Sequence, residues 1–219
     1  MAGCIEASKE LVASAQEVLE RTQITIVGMG GLGTNTAEIL VRMGARNLHI
    51  IDDDIVEESN LNRQTLYTLD DIGKAKVDVA KEKLTLMARD VKVHTSKTRM
   101  DESTIAELLG SSQLILDCLD NNEGRADINS YCKENNKHWI HAAVIGFRGQ
   151  VLVVSPDKNC SHLFNKERQE CSEMGVLTTA VVMTSTIQAQ YTIQHLLGKT
   201  PQELARINAK EPKIDYFSI

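Results

Sequence analysis

The sequence predicts an α/β protein, in which a mostly parallel β-sheet is flanked by helices and followed by a long crossover loop and a buried C-terminal helix. Short runs rich in β-branched residues alternate with segments whose apolar residues recur at helical spacing. That alternation is typical of parallel sheets with helices on both faces. The 219 residues, 42% of them hydrophobic and 25% charged, suit one globular unit, so we expect a single domain over 1–219.

The first half of the chain supplies the elements in a regular order. Apolar side chains recur at helical spacing between residues 5 and 20, which predicts an N-terminal helix within 1–21. Runs of β-branched and other apolar residues predict strands, and glycine or polar residues separate them from the next helix. The predicted strands are 23–27, 47–51, 91–95 and 113–119, and the predicted helices are 34–43, 74–87 and one that opens near Ser103.

The second half is expected to contain a helix at 125–135, strands at 138–144 and 149–154, and then a long polar segment. That segment, 155–175, is longer than a simple connection requires, so we expect a functional crossover loop. Residues 176–198 carry no formal charge but are too rich in threonine and glutamine for an easy membrane span, which favours a buried helix. The residues after Lys199 are expected to form a short charged tail.

Charge and cysteine usage exclude several classes of protein. The net charge of −6 disfavours a nucleic-acid surface, because phosphate binders usually have a basic excess. Five scattered cysteines without a C-x-x-C pair indicate a reducing compartment, and no export signal opens the chain. We therefore expect a cytoplasmic protein that binds neither nucleic acid nor membrane. Cys118 is expected in strand packing and Cys132 on a helix surface, both as structural residues.

A glycine cluster with the sequence G-M-G-G-L-G occupies residues 28–33, between the first predicted strand and the next helix. Glycines permit a tight turn and let backbone N–H groups approach phosphate oxygens at the positive end of a helix. Asp52 follows Gly28 by 24 residues, at the end of the second predicted strand, where an acid binds ribose hydroxyls. The arrangement predicts a Rossmann-like nucleotide site, and by itself it is equally compatible with an NAD dehydrogenase.

Two further segments favour a triphosphate. The sequence D-D-D-I-V-E-E-S-N-L-N-R-Q at 52–64 is followed by G-K-A-K at 73–76. A triphosphate carries about four negative charges, so it needs cations beyond a helix end, and a metal ion. Arg63 and Lys76 are candidate cations. Asp120 stands at the C-terminal end of a predicted strand, where ligands bind in such sheets, and is a candidate magnesium ligand.

Together these motifs resemble the pattern of the ThiF/MoeB/HesA family, whose members are related to the adenylation domain of ubiquitin-activating enzymes. The pattern G-x-G-G-[LV]-G, D-x-D-x-V-x-x-S-N-L-x-R-Q, G-x-x-K and D-x-x-D-N occurs in this order, and the resemblance spans about residues 22–198. The segment C-S-E-M-G-V at 171–176 and the pair Gln188-Ala189 match later positions of the pattern.

The resemblance implies a single ThiF-type adenylation domain that uses ATP and Mg²⁺. The implied reaction is adenylation of the C-terminal glycine carboxylate of a small ubiquitin-like or sulfur-carrier protein, with release of pyrophosphate. The implied partners are a β-grasp protein ending in Gly-Gly and a second copy of the chain in a homodimer. The resemblance assigns nucleotide binding to Gly28, Gly30, Gly31, Gly33, Asp52, Asp54, Asn60, Arg63 and Lys76. It assigns catalysis to Arg63, Gln64, Lys76, Asp120 and Cys171, with Asp120 also as the magnesium ligand.

Three departures from the family pattern leave questions open. Many relatives carry an N-terminal arginine that enters the ATP site of the partner subunit, whereas the first 20 residues here contain none. Many also hold zinc with two C-x-x-C pairs, which this sequence lacks, so we do not expect zinc. Cys171 matches a loop cysteine that some relatives use for thioester or persulfide chemistry. Adenylation alone needs no cysteine, so a catalytic thiol and a spectator cysteine both stay open.

Three other functions are weighed against this one. A non-catalytic partner subunit of a heterodimeric ubiquitin-like-activating enzyme is favoured by the missing arginine and opposed by the complete set of triphosphate residues. A tRNA threonylcarbamoyladenosine dehydratase normally has a basic surface, which the net charge of −6 disfavours. An NAD dehydrogenase is disfavoured by Arg63 and Lys76.

Overall fold

All named strands of the computed structural model form one eight-stranded sheet in the order β3-β2-β1-β4-β5-β6-β7-β8. The structure describes residues 2–158 and 175–218, with side chains from residue 9 onward in those ranges. The strands are β1 (Gln23–Val27), β2 (Asn47–Ile51), β3 (Lys92–Ser96), β4 (Leu114–Asp117), β5 (Trp139–Ile145), β6 (Arg148–Val154), β7 (Glu203–Asn208) and β8 (Lys213–Ser218). The helices are α1 (Ala2–Arg21), α2 (Gly31–Met43), α3 (Lys76–Met87), α4 (Ile105–Leu109), α5 (Asn122–Glu134) and α6 (Thr178–Leu196).

The half of the sheet from β3 to β5 is parallel, which confirms the predicted fold class. Residues such as Ile26, Ile50 and Leu116 are fully buried in it, because helices cover both of its faces. The chain first moves outward from β1 to β2 and β3, and then returns to place β4 on the other side of β1. In open sheets of this kind, ligands bind beyond the strand ends at the point where the order reverses. That point lies between β1 and β4.

The half of the sheet from β5 to β8 is antiparallel, and its last two strands contradict the predicted charged tail after Lys199. Leu204, Ala205 and Ile207 of β7 are buried, although charged residues stand between and around them. β8 is an edge strand whose residues are almost all exposed. Its alternation of charged and apolar residues suits an edge, since charges there discourage pairing with other chains. The sequence prediction failed because only one side of this hairpin is buried.

Helix α6 confirms the prediction of an uncharged, buried helix within 176–198. It packs against α2 on one side and lies across β5 and β6 on the other. Its threonines tolerate burial because their hydroxyls bond to carbonyls one turn earlier, as Thr184 does to Ala180 O at 2.7 Å and Thr192 to Gln188 O at 2.8 Å. Across residues 2–158 and 175–218, every helix is too short or too polar to cross a membrane.

Two of the five cysteines, Cys118 and Cys132, are free and buried. The expected surface position of Cys132 is therefore wrong, because it belongs to an apolar cluster with Leu109, Ile128 and Trp139. Burial raises the pKa of the Cys132 thiol to about 12 and raises that of Cys118 further still. Both thiols are therefore protonated and unreactive at neutral pH. Cys160 and Cys171 lie outside the described residues, as does most of the crossover loop.

Candidate active site

A cleft of about 1550 Å³ opens at the carboxyl ends of β1, β2 and β4 and runs onto the exposed face of the antiparallel strands. Its walls include most of the residues that the sequence singles out. They are Gly28, Gly30, Gly31, Asp52, Asp54, Asn60, Arg63, Gln64, Lys76 and Asp120. The fold therefore brings together segments that are up to 92 residues apart in the chain, from Gly28 to Asp120.

The glycine loop needs glycine at two positions for steric reasons. Gly28 has φ = +95°, and a Cβ there would lie 2.7 Å from Cys118 O. A Cβ at Gly33 would lie 1.9 Å from Gly28 O, so the first turn of α2 packs directly on the loop. Gly30 is different, because a Cβ there would meet only Gln64 Nε2 at 3.7 Å on the cleft side. Gly28 and Gly33 thus shape the loop, while Gly30 keeps space for a ligand.

Helix α2 begins at Gly31, three residues before the predicted start. The first N–H groups of a helix have no intrahelical acceptor, and here they stand at the cleft wall. Together with the helix dipole they form a site for an anion such as a phosphate group. The lack of a side chain at Gly30 lets that anion approach the backbone, whereas a Cβ at Gly31 would instead meet Val181 Cγ1 at 3.2 Å.

Asp52 ties the end of β2 to the glycine loop. Its carboxylate accepts hydrogen bonds from Met29 N at 2.6 Å and from Asp54 N at 2.9 Å. Burial raises the pKa of this carboxyl, against the opposing effects of the Lys76 ammonium and the two amide groups. A carboxylate has about four acceptor positions, so Asp52 keeps capacity for the hydroxyls of a ribose.

Both predicted cations reach the cleft, and each already has a partner. Lys76 Nζ lies 2.8 Å from Asp54 Oδ2, with the lysine side chain only 7% exposed and the aspartate 67% exposed. Arg63 Nη1 donates to Ser59 O and to Asn62 Oδ1, each at 3.0 Å. The stem of Arg63 lies 3.4 Å from where a Cβ on Gly31 would stand, so its guanidinium is anchored beside the phosphate loop.

Gln64 and Asn60 are both buried, and they differ in how their amides are used. The Asn60 Oδ1 atom accepts from Glu57 N at 3.3 Å and caps a single 3₁₀ turn, Glu58–Asn60. Gln64 Oε1 is buried and has no hydrogen-bond partner among the described residues. A buried amide oxygen without a partner is costly, and Gln64 is a residue of the cleft wall whose hydrogen bonding within the described residues is incomplete.

The oxygen ligands at the cleft suit a hard divalent cation. Asp120 is exposed just beyond β4, and its Oδ1 accepts a weak hydrogen bond from Asn121 Nδ2 at 3.5 Å. The side chains of Asp52, Asp53 and Asp54 offer carboxylate oxygens that lie within 4.8 Å of one another. Magnesium prefers one or two carboxylates together with phosphate oxygens, and the exposed carboxylate of Asp120, which is not a member of the Asp52–Asp54 cluster, is a donor of that kind.

Three polar residues that sequence reasoning missed form a buried network behind Asp120. Asp117 is the last residue of β4, and its Oδ2 atom lies 3.2 Å from Arg125 Nε and 2.7 Å from His141 Nδ1. All three side chains are buried. The D-x-x-D spacing that ends at Asp120 was a partial signal for Asp117, but no local pattern marks its contact with a residue of β5.

The antiparallel strands present an open, mainly cationic face to the cleft. Arg148, Arg206 and Lys213 line it, and Lys213 Nζ forms an ion pair with the acidic member, Asp215, at 3.1 Å. The Arg206 guanidinium carbon stands 4.9 Å from the ring centre of Phe217, which is 43% exposed. This surface is continuous with the nucleotide cleft, and the sequence prediction of a tail gave no indication of it.

Comparison with known proteins places these features in a family. The ThiF family model matches residues 6–219. The chain is 33% identical over 199 residues to the sulfur carrier protein ThiS adenylyltransferase of Escherichia coli, covering 88% of this chain and 79% of that protein. It is 32% identical over 189 residues to the E. coli molybdopterin-synthase adenylyltransferase, covering 84% and 76%. It is 31% identical to the SAMP-activating enzyme E1 of Haloferax volcanii, covering 87% and 73%.

Solved structures give the same fold. The chain superposes on PaaA with a TM-score of 0.79 at 25% identity, and on E. coli MccB in complex with ATP with a TM-score of 0.80 at 21% identity. In each case 94% of this chain is covered, and it spans 66% of the length of the solved chain. The mixed, mostly parallel sheet is thus shared with proteins considerably longer than this one.

Proposed function

This chain belongs to the ThiF family, and we propose that it is an ATP-dependent enzyme that adenylates the C-terminal glycine carboxylate of a small ubiquitin-like sulfur carrier. The observation that carries the proposal is one continuous cleft. At one end it has a glycine loop, an anchored arginine and oxygen ligands for a metal, and at the other it has an open cationic sheet face. The relatives named above are adenylyltransferases for ThiS and for molybdopterin synthase, which supports the same substrate class.

The cleft suits the ribose and the phosphates of ATP. The free oxygen positions of Asp52 suit the ribose hydroxyls, and the start of α2 at Gly30 and Gly31 suits the phosphates. Arg63 stands beside that loop and supplies fixed positive charge to the triphosphate. Asp120 would hold Mg²⁺, which when bound supplies further charge to the phosphate oxygens.

The proposed reaction joins two anions, so its difficulty is mainly electrostatic. A carboxylate oxygen of the carrier attacks the α-phosphorus, an O–P bond forms, and the bond to pyrophosphate breaks. The carboxylate needs no deprotonation at neutral pH, so the site requires cations and hydrogen-bond donors rather than a general base. Arg63, Gln64 and Lys76 provide these groups on one wall. For Lys76 to contact phosphate it must share its ammonium with Asp54, whose carboxylate is largely exposed.

The open sheet face is a suitable route for the carrier's C-terminal tail. A tail that ends in Gly-Gly is narrow enough to lie along the strands, and its terminal carboxylate is attracted by Arg148 and Arg206. The exposed ring of Phe217 offers an apolar contact on the same surface. A β-grasp protein seated on this face would point its terminus towards the glycine loop.

We further propose that the chain forms a homodimer, which sedimentation of the full chain tests. We also propose a cytoplasmic location, which the scattered cysteines support. Cys171 stays a candidate for a later thiol step. The alternative of a non-catalytic partner subunit is favoured by one observation, the lack of arginine in the first 20 residues. A chain that binds no ATP would support that alternative.

The direct test is carrier-dependent exchange of labelled pyrophosphate into ATP. We expect exchange with a β-grasp carrier that ends in Gly-Gly and none with the same carrier amidated at its C-terminus. Arg63→Ala and Asp120→Ala should each lower exchange by about 100- to 1000-fold, as loss of one preorganised charge or donor typically does. Arg42→Ala, on the exposed side of α2, is the matched control and should keep wild-type exchange. Near-normal exchange in the Arg63 or Asp120 variant would contradict the assignment.

A further inference from the structure

The loop between β4 and α5 carries Asp120 on its exposed tip, and a single buried arginine holds it from within. Arg125 donates through Nη2 to Leu119 O and through Nη1 to Asn122 Oδ1 at 3.2 Å. Its Nε atom donates to Asp117 Oδ2 at 3.2 Å. The guanidinium therefore contacts the residues before and after the tip of the loop, and also the strand end from which the loop departs.

Asp117 completes the anchorage from the strand side. Its Oδ1 accepts from Leu119 N at 2.9 Å, so the same carboxylate bonds to the arginine and to the loop backbone. The Asp117 carboxylate is also hydrogen-bonded through Oδ2 to His141 Nδ1 at 2.7 Å. Gln150 Nε2 lies 2.8 Å from the other ring nitrogen, His141 Nε2. Burial lowers the pKa of His141, so the ring is neutral at neutral pH and donates to the Asp117 carboxylate through Nδ1. Arg125 is then the only cation bonded to the Asp117 carboxylate among the described residues.

This geometry leaves the Asp120 carboxylate with one weak hydrogen bond, from Asn121 Nδ2, while the residues on either side of it are fixed. A metal-binding side chain has to face the cleft, so the Asp120 side chain cannot also hold the loop rigid. The hydrogen bonds of the residues on both sides of Asp120 hold the loop instead. Residues that orient a metal ligand in this way typically change metal affinity by about 10- to 100-fold when they are replaced.

We propose that the buried Arg125–Asp117 pair is a positioning pair for Asp120 and thereby sets how strongly a divalent cation tightens nucleotide binding. The inference rests on the proposed function, because it takes Asp120 as a metal ligand at an ATP site. It adds two residues that contact neither nucleotide nor carrier. It predicts that they act on the metal-dependent part of ATP binding and leave the metal-independent part unchanged.

The test is calorimetric titration of the full chain with ATP, in excess EDTA and in excess MgCl₂, with no carrier present. The ratio of the two dissociation constants is the metal enhancement. In Arg125→Gln we expect this enhancement to fall by about 10- to 100-fold, as in Asp120→Asn, with the constant in EDTA unchanged. Arg125→Lys keeps the charge but has fewer donors, so it should restore part of the enhancement.

Arg125→Gln leaves the Asp117 carboxylate buried without its cation and is at risk of misfolding. The double variant Asp117→Asn/Arg125→Gln removes both charges, and it should fold and show the same loss of enhancement. Arg42→Gln, an exposed arginine distant from the loop, should match wild type. Wild-type enhancement in the folded double variant would overturn the inference, as would an equal loss of affinity in EDTA, which indicates a general structural role. Failure of the wild-type chain to bind ATP would instead overturn the proposed function.

Discussion

Gln188 is a buried amide on which two helices and two strands depend, and replacing it should destabilise the fold measurably. Its Nε2 donates to Asp117 O at 2.9 Å and to Ile140 O at 3.3 Å. Its Oε1 accepts from Thr36 Oγ1 at 2.9 Å and from Cys118 Sγ at 3.3 Å. Helix α6 is thus bonded to α2, β4 and β5 at a point directly behind the glycine loop.

The substitution Gln188→Leu keeps the size of the side chain and removes all four hydrogen bonds. The Thr36 hydroxyl then lies buried without this partner, and the two strand-end carbonyls lose one donor each. A buried polar group left unpaired costs about 1–3 kcal/mol, and the added apolar surface of leucine offsets only part of that cost. We expect the free energy of unfolding to fall by about 3 kcal/mol.

Urea denaturation followed by tryptophan fluorescence measures this, because the single tryptophan, Trp139, is buried in the sheet. The matched control is Gln190→Leu, two residues along the same helix and exposed, which should change stability by less than about 0.5 kcal/mol. A Gln188→Leu protein within about 1 kcal/mol of wild type would refute the reasoning. Equal losses in the two variants would refute it as well.

Three further predictions concern the loop, the thiols and acid stability. Gly30→Ala should fold normally, since the new Cβ would meet only one side-chain atom, at 3.7 Å. It should weaken ATP binding at least 10-fold, as measured by calorimetry, because the Cβ would fill the space through which a phosphate group approaches the backbone. Cys118 and Cys132 should resist iodoacetamide at pH 8 in the native protein and react once urea unfolds it, as adduct masses will show; modification of either in the native state would contradict their burial. Burial would raise the pKa of Asp71, but hydrogen bonds, chiefly from Lys83, outweigh it and hold that pKa well below its usual range. The stabilisation that the Asp71 carboxylate provides is therefore complete above about pH 4, and it is lost as the pH falls further. We expect Asp71→Asn to make the free energy of unfolding less dependent on pH on the acid side. An unchanged slope of that free energy against pH would contradict this.

The centre of the parallel half, strands β1 and β4, was predictable because almost all of its residues are buried. Strands buried on both faces are rich in apolar and β-branched residues, as the sequences at 23–27 and 114–117 are. The glycine loop was predictable for the same local reason, since only glycine fits at Gly28 and Gly33. The start of α2 was less so, because glycines at 30 and 31 disfavour a helix unless tertiary packing imposes one.

The antiparallel half and the buried network were not accessible to local reasoning. Strand β7 is exposed on one side and β8 is almost wholly exposed, so charged residues interrupt both strands and weaken the apolar pattern. The contacts of Asp117 with Arg125 and His141 join three separate elements, and no spacing in the sequence encodes them. The pairing of Lys76 with Asp54 was likewise missed, because both residues were assigned to the nucleotide rather than to each other.

A crystal structure of the full chain with a non-hydrolysable ATP analogue and MgCl₂ would test the central claim most directly. We predict the ribose hydroxyls within hydrogen-bond distance of the Asp52 carboxylate, the phosphates against the first turn of α2, and the metal ion bound through Asp120. Arg63 should leave its contact with Asn62 Oδ1 and turn onto the phosphates. A nucleotide bound elsewhere on the chain, or bound in the cleft with Arg63 and Asp120 both directed away from it, would contradict the account.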